Sequence, residues 1–298
     1  MPHPLNLPGV ICPMVTPFTD DGAVDTARIS GLVDFLVERG VNGLMIGGTT
    51  GEGMLLDLPE RKALLDAVVA HVAGRVPVIA HTGCISTAET IELTRHAAHA
   101  GASAISAVVP YFFTFDDASL FQHFLAVANA APEHPILLYT FPGNAKNDIS
   151  PDLLRRLLDA TENIVGIKSS NPDLIRFGQY ILTGGPEFVA ICGVDGLMYP
   201  ALACGAHGQI SGNANAFPDV VVALYKAFRA GDHARARQLQ GTLDQIRAVV
   251  RDGLHPAYFK AVLEMRGVPA GRVRPPMREL TPEESADLTR RIRHLDLI

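Results

Sequence analysis

Lysine is scarce in this 298-residue sequence, and tryptophan is absent. Only five of the 25 cationic side chains are lysines, so each lysine can be considered singly. The basic residues do not cluster and the net charge is −6, which excludes the basic surface that nucleic-acid binding requires. No apolar run reaches the ~18 residues of a membrane helix, and no signal peptide is evident. We therefore expect a cytoplasmic protein without nucleic-acid or membrane partners.

Cysteine and metal-ligand patterns are also sparse. The four cysteines are dispersed along apolar stretches and form no C-x-x-C pair, which predicts reduced, buried thiols at Cys12, Cys84, Cys192 and Cys204. His96 and His99 share a helix face, but they fall in a predicted outer helix and fit surface residues better than metal ligands. We expect neither a metal nor a cofactor.

Eight short apolar runs alternate with segments of helical period. Near-continuous apolar runs are typical of parallel strands that are covered on both faces. The predicted strands are residues 11–17, 43–48, 77–83, 104–110, 135–142, 164–170, 187–193 and 208–212. This order predicts an α/β protein with a (β/α)₈ TIM barrel over residues 1–231, followed by a C-terminal helical bundle over residues 232–298; a doubly wound sheet is the alternative. In such a barrel the chemistry lies at the carboxyl ends of the strands.

Among the lysines, only Lys168 falls inside a predicted strand. A lysine that points into a barrel loses hydration, which favours the neutral amine that forms a Schiff base with a carbonyl substrate. A strand-end lysine that reaches solvent or pairs with a carboxylate is the alternative. The other four are predicted on helix surfaces or in a loop: Lys62, Lys146, Lys226 and Lys260.

Two further features stand at predicted strand ends. The segment from Gly47 to Gly53 combines glycines with the hydroxyls of Thr49 and Thr50, a composition that suits an anion cradle for a small carboxylate. It lacks the Lys-Ser/Thr ending of a nucleotide-binding loop, and a tight turn without a ligand is the alternative. Tyr139 ends an apolar run, where a phenol can transfer a proton, although a packed aromatic residue is also consistent with this position.

Three separated motifs resemble the dihydrodipicolinate synthase / N-acetylneuraminate lyase superfamily. They are Gly47-Gly48-Thr49-Thr50-Gly51-Glu52, Tyr139-Thr140-Phe141-Pro142 and Gly166-Ile167-Lys168, and the likeness extends over nearly the whole chain. The resemblance implies a metal-independent class I aldolase that acts on pyruvate or another 2-oxo acid together with an aldehyde. It also implies a homotetramer built as a dimer of dimers.

The resemblance implies a role for each matching residue. Lys168 would form the Schiff base, and Tyr139 would transfer protons during formation or cleavage of the carbon–carbon bond. Thr49 and Thr50 would bind the carboxylate and relay a proton to Tyr139. The pocket would be completed by Gly48 and by backbone groups of Gly193 and Ile210.

Two departures separate this sequence from the synthases of the superfamily. Those enzymes carry a second tyrosine in a P-Y-Y-N segment, whereas Phe112 stands here in Pro110-Tyr111-Phe112-Phe113 and cannot carry a proton. They also place an arginine where this chain has Asn144, and loss of a bidentate guanidinium weakens recognition of aspartate semialdehyde. We expect the second substrate to contact Asn144, Lys146, His81, Tyr111 and Phe113.

The sequence therefore predicts a carbon–carbon lyase that makes or cleaves a hydroxy-oxo acid or a 2-keto-3-deoxy sugar acid, with pyruvate as the enamine half. One alternative keeps the same lysine and tyrosine in a 4-hydroxy-tetrahydrodipicolinate (dihydrodipicolinate) synthase or in a sugar-acid dehydratase. Another is a non-catalytic barrel that binds a carboxylate.

Overall fold

Eight parallel strands form a closed barrel in chain order in a computed structural model, which describes Leu7, residues 9–253 and residues 255–297. The strands are β1 (Gly9–Pro13), β2 (Gly43–Ile46), β3 (Val78–His81), β4 (Ala104–Val108), β5 (Ile136–Thr140), β6 (Ile164–Ser169), β7 (Val189–Cys192) and β8 (Gly208–Ile210). The closed barrel confirms the predicted TIM barrel and excludes the doubly wound sheet.

Helices follow the strands, and further helices form the C-terminal part of the chain. They are α1 (Ile29–Glu38), α2 (Leu58–Val72), α3 (Thr87–His99), α4 (Asp117–Ala130), α5 (Pro142–Ala145), α6 (Pro151–Ala160), α7 (Leu174–Gly184), α8 (Met198–Ala203), α9 (Pro218–Arg229), α10 (His233–Val249), α11 (Pro256–Met265) and α12 (Pro282–His294). The predicted C-terminal helices are thus present. No helix within the described ranges is both long enough and apolar enough to cross a membrane.

The strands coincide with the apolar runs because both of their faces are covered. Every residue of β5 is buried, and Leu137 and Leu138 have no exposed surface. Burial of each such side chain contributes about 1.5–3 kcal/mol to the hydrophobic driving force. The predicted boundaries are less accurate: β1 begins at Gly9 and ends at Pro13, whereas residues 11–17 were expected.

Capping residues determine where several helices begin. The Ser150 hydroxyl accepts a hydrogen bond from the Leu153 N–H at 3.0 Å, and Pro151 occupies the first position of α6, where proline is favoured. Asp57 and Glu60 form a reciprocal capping box at the start of α2. These local bonds fix the ends of the loops that precede the helices.

The described part of the chain divides into two compact units. One contains Pro77–Ile210, and the other contains Val10–Val76 together with residues 211–297. Lys168 and Tyr139 belong to the first unit, whereas Thr49, Thr50 and the C-terminal helices belong to the second. The division into a barrel over residues 1–231 and a helical extension over residues 232–298 stays a prediction.

Two predictions about burial are wrong. Lys260 was expected on a helix surface, but it is buried in α11, where it pairs with Glu52. Cys204 was expected to be buried, but it caps the carboxyl end of the short helix α8 and is exposed. The other three cysteines are buried as expected, at Cys12, Cys84 and Cys192.

Candidate active site

Lys168 lies in β6 with only 4% of its surface exposed. Its register partner on the neighbouring strand β5 is Tyr139, which is 2% exposed. Register partners on adjacent parallel strands project their side chains from the same face, so the two side chains meet. The Lys168 Nζ lies 4.0 Å from the centre of the Tyr139 ring. The Lys168 amine and the Tyr139 side chain are therefore in contact and shielded from solvent.

The rings of Phe141 and His81 lie beside Tyr139. The Phe141 ring stacks near it with 6.4 Å between ring centres, and the imidazole of His81 meets it edge-on at 5.9 Å. His81 is the last residue of β3 and is buried. These contacts restrict the orientation of the Tyr139 ring and bring a second polar side chain close to it.

Gly193 follows β7 and packs directly against the lysine. A Cβ atom at this position would lie 2.4 Å from the Ser170 Oγ and 3.2 Å from the Lys168 Cε. The Gly193 N–H donates to the Ser169 carbonyl at 2.7 Å, which fixes the backbone beside the lysine. The absence of a side chain at Gly193 therefore leaves space for the lysine stem.

The neighbouring thiol does not offer a second nucleophile at neutral pH. Burial raises the pKa of the Cys192 thiol to about 12, so the thiol keeps its proton. A cysteine reacts as the thiolate, and a site that raises the pKa in this way makes the residue inert. Cys192 therefore acts as a packing residue at the end of β7.

The turn after β2 holds the two predicted carboxylate-binding hydroxyls. The Glu52 N–H donates to the Thr49 carbonyl, and the Gly53 N–H donates to the Gly48 carbonyl, both at 3.1 Å. A Cβ on Gly53 would lie 1.8 Å from the Gly47 carbonyl oxygen, so only glycine fits there. Thr49 is exposed and Thr50 is half-buried. The turn is thus closely packed around its glycines while its hydroxyl residues remain near the surface.

Of the residues predicted to contact a second substrate, His81 is buried and the others are more exposed. Asn144 and Lys146 are exposed in and just after the short helix α5, whereas Tyr111 is half-buried. Phe112 is 69% exposed and Phe113 is 57% exposed. Lys168 therefore contacts Tyr139 and packs against Gly193, and Tyr139 in turn contacts His81. The exposed residues of the second group lie in α5 and in loops. Ile210 ends β8 and is buried.

Asn147 is a positioning residue that the sequence did not reveal. Its buried side-chain amide donates to the carbonyl oxygens of Pro110 and Phe113 at 2.7 and 2.6 Å, and its oxygen accepts from the Phe115 N–H at 2.9 Å. It therefore ties the loop after β4 to the loop after β5. A single asparagine in a polar loop gives no signal of this role, because its partners lie more than thirty residues away.

The chain is similar to known proteins over nearly its whole length. The model of the dihydrodipicolinate synthetase family matches residues 6–295. The chain is 38% identical over 282 residues to a 4-hydroxy-tetrahydrodipicolinate synthase of Thermus thermophilus, with 95% of this chain and 94% of that protein covered. It is 34% identical over 285 residues to an N-acetylneuraminate lyase of Rhizobium meliloti, with 95% of this chain and 93% of that protein covered.

A solved structure shares the fold over almost the full length. The crystal structure of YagE from Escherichia coli K12 in complex with pyruvate, described as a prophage protein of the dihydrodipicolinic acid synthase family, superposes with a TM-score of 0.94 at 35% identity. The match covers 98% of this chain and 100% of that one. The chain belongs to the dihydrodipicolinate synthetase family and is an enzyme of the lyase and aldolase type.

Proposed function

We propose that this enzyme is a class I carbon–carbon lyase that joins pyruvate to an aldehyde, or cleaves the product, through a Schiff base on Lys168. The observation that carries the proposal is the buried Lys168 Nζ, 4.0 Å from the centre of the Tyr139 ring. A buried amine beside a phenol supplies both a nucleophile for a carbonyl and a group that can exchange protons.

The chemistry begins with the amine and the 2-oxo acid. The lone pair of the neutral Lys168 amine forms a bond to the carbonyl carbon, and the carbonyl oxygen leaves as water with the two hydrogens of the amine. A further proton on the imine nitrogen gives an iminium ion. Loss of a proton from the adjacent carbon then gives an enamine, whose carbon attacks the aldehyde as the aldehyde oxygen takes up a proton. The product is then an iminium ion on Lys168, and addition of water to its carbon breaks the carbon–nitrogen bond, which releases the hydroxy-oxo acid and restores the amine. Cleavage runs through these steps in reverse, and Tyr139 accepts and returns the proton at each stage.

The carboxylate of the 2-oxo acid needs its own binding groups. We assign this role to the hydroxyls of Thr49 and Thr50 in the turn after β2, together with Gly48 and backbone groups of Gly193 and Ile210. Hydrogen bonds to a carboxylate are charge-assisted and about twice as strong as those between neutral groups. Fixing the carboxylate also orients the carbonyl carbon for attack.

Asn144 favours an aldolase over a synthase. The side chain is an exposed neutral amide in α5, at the place where the superfamily's synthases carry a guanidinium. A neutral amide suits the hydroxyls of a hydroxy-oxo acid or a sugar acid better than the carboxylate of aspartate semialdehyde. We extend this assignment to Lys146, His81, Tyr111 and Phe113 as further contacts of the second substrate.

A second candidate is a 4-hydroxy-tetrahydrodipicolinate synthase. The 38% identity to the Thermus thermophilus protein of that name supports it. The two candidates share the enamine of pyruvate and differ in the aldehyde that it attacks.

A substrate panel separates the candidates. Pyruvate release from 4-hydroxy-2-oxoglutarate and from 2-keto-3-deoxy sugar acids is measured beside the condensation of pyruvate with aspartate semialdehyde. We expect pyruvate release to exceed the condensation in kcat/KM. A condensation rate equal to or above the best cleavage rate would assign the synthase, and loss of water from a sugar acid without pyruvate release would assign the dehydratase.

A further inference from the structure

Glu52, in the turn after β2, forms a buried ion pair with Lys260. The Nζ of Lys260 in α11 lies 2.8 Å from the Glu52 Oε1, and the two side chains are 3% and 0% exposed. The same ammonium also donates to the Arg272 carbonyl. Lys260 thus connects three parts of the second unit: the turn, helix α11 and the segment that follows it.

The second carboxylate oxygen of Glu52 is also bonded. The backbone N–H of Arg274 donates to the Glu52 Oε2 at 2.8 Å. The Arg274 guanidinium points elsewhere and donates to both carboxylate oxygens of Glu60, at 2.6 and 2.7 Å. The Phe18 ring packs against both cations, with its centre 4.6 Å from the Lys260 Nζ and 4.5 Å from the Arg274 guanidinium carbon. Glu52 is therefore enclosed by bonds on both oxygens.

The backbone of Glu52 also departs from ordinary geometry. Its φ is 57°, in the left-handed region that residues other than glycine seldom adopt. Such a conformation persists where surrounding contacts determine it, and here both carboxylate oxygens are fixed. The Glu52 N–H in turn bonds to the Thr49 carbonyl at 3.1 Å. The ion pair is thereby linked through one residue to the hydroxyls that we assign to the substrate carboxylate.

Stability alone does not account for these charges. Desolvating two charges costs free energy that their attraction offsets only in part, and apolar side chains of similar size often stabilise a protein equally well. Burial lowers the pKa of Lys260, and the Glu52 carboxylate opposes this shift. What an apolar pair cannot provide is a fixed orientation of the carboxylate and of the turn that carries it.

We propose that Glu52 and Lys260 are positioning residues that hold the Thr49–Thr50 turn in the shape that receives the carboxylate of the 2-oxo acid. The inference rests on the proposed function, because it presupposes that the turn binds this carboxylate. Neither residue contacts the substrate; both act through the backbone of the turn.

The test compares Glu52→Gln, Lys260→Met and the double variant with the wild type. The double variant removes both charges, so it loses the orientation of the turn without leaving a single charge buried. Arg266→Met is the matched control, because it breaks a different partly buried ion pair, to Asp219 at 2.7 Å, and a 2.7 Å bond to the Ala216 carbonyl. Each variant is assayed for its melting temperature, for kcat and for the pyruvate concentration that gives half-maximal imine trapping by borohydride.

We expect the half-saturating pyruvate concentration to rise at least about tenfold in Glu52→Gln and in the double variant, as a displaced binding group would require. The maximal amount of trapped imine should change less than the half-saturating concentration does. The control should keep the wild-type concentration even if its melting temperature falls. A folded double variant with unchanged half-saturation would overturn the positioning role.

Calorimetric measurement of pyruvate binding distinguishes a failure of the proposed Schiff-base function from a failure of the positioning role. If the wild type binds pyruvate but no imine can be trapped, the proposed function is contradicted. In that case, weaker calorimetric binding of pyruvate by Glu52→Gln than by the wild type would still support the positioning role, and equal binding would contradict it. A wild type that forms the imine with equal pyruvate affinity in all variants contradicts only the positioning role. A wild type that neither binds pyruvate nor forms an imine overturns both.

Discussion

The Lys168 side-chain nitrogen lies over the ring of Tyr139, its register partner on the adjacent strand, at 4.0 Å from the ring centre. The contact fixes two side chains by backbone register, so their relation does not depend on a mobile loop. It also separates two contributions of Tyr139. The ring contacts the lysine, whereas the hydroxyl is the part that can exchange a proton.

Replacing Tyr139 with phenylalanine separates these contributions. Tyr139→Phe keeps the ring beside Lys168 and removes only the hydroxyl. We expect kcat to fall by about 10²–10⁴, the usual contribution of a positioned acid or base, while calorimetric binding of pyruvate persists. An unchanged kcat would remove Tyr139 from the proton transfers.

Gly193 tests whether the space beside the lysine matters. Gly193→Ala places a methyl group 2.4 Å from the Ser170 Oγ and 3.2 Å from the Lys168 Cε. The serine hydroxyl can rotate away, but the lysine stem must shift by a few tenths of an ångström. We expect kcat/KM to fall by about one to two powers of ten, because small displacements of a reacting group are costly. Steady-state kinetics with the preferred substrate measures this effect.

Gly178→Ala is the matched control for that variant. Gly178 lies in α7, and a Cβ placed on it meets nothing within 4 Å. Alanine favours the helix by about 0.5–1 kcal/mol over glycine, so this variant should gain stability and keep full activity. Equal activity losses in both variants would argue against a specific role for the space at Gly193.

Asn144 tests the choice between aldolase and synthase. Asn144→Arg introduces a guanidinium that can form two parallel hydrogen bonds with a carboxylate. We expect kcat/KM for aspartate semialdehyde to rise about tenfold while cleavage of hydroxy-oxo acids declines. Gln245→Arg serves as the control, because it adds a guanidinium at an exposed position of α10 that has no assigned role in substrate binding. An unchanged kcat/KM for aspartate semialdehyde in Asn144→Arg would show that Asn144 does not contribute to recognition of the second substrate.

Because the His123 side chain is buried, we expect the free energy of unfolding to decrease at acid pH. Burial lowers its pKa from 6.5 to about 4, and the Thr87 hydroxyl lies 2.9 Å from its Nδ1. Between these values the unfolded chain binds a proton that the folded protein does not, so stability is lost as pH falls from 6.5 towards 4. The loss attributable to this one group is on the order of 3 kcal/mol. Urea unfolding measures the free energy of unfolding at pH values between 6.5 and 4. This free energy should decrease less in His123→Asn than in the wild type, and an equal decrease in both proteins would contradict the prediction.

The strands and the lysine could be predicted because local patterns determine them. A parallel strand covered on both faces must be apolar along its length, so the polar residue that interrupts the run at Lys168 stands out. The motif resemblance then identified Tyr139 and the turn around Thr49. The domain boundary after residue 231, the homotetramer and the cytoplasmic location stay predictions.

Lys260 could not be placed in the same way, because its partner lies 208 residues earlier in the chain. Its position between Pro256 and Leu263, which are both buried in α11, was the signal that could have indicated burial. A helical lysine is usually solvated, and only the tertiary structure shows that Glu52 neutralises it. The role of Asn147 was missed for the same reason, since its partners belong to another loop.

Borohydride reduction in the presence of pyruvate tests the central claim most directly. Reduction of the imine adds a stable mass that peptide mapping can locate, and Lys168→Met provides the negative control. We predict that the wild type carries the added mass on Lys168 and on no other lysine, and that the variant carries none. A wild-type protein that remains unmodified under conditions that trap a known class I aldolase, or that is modified at another lysine, would contradict the account.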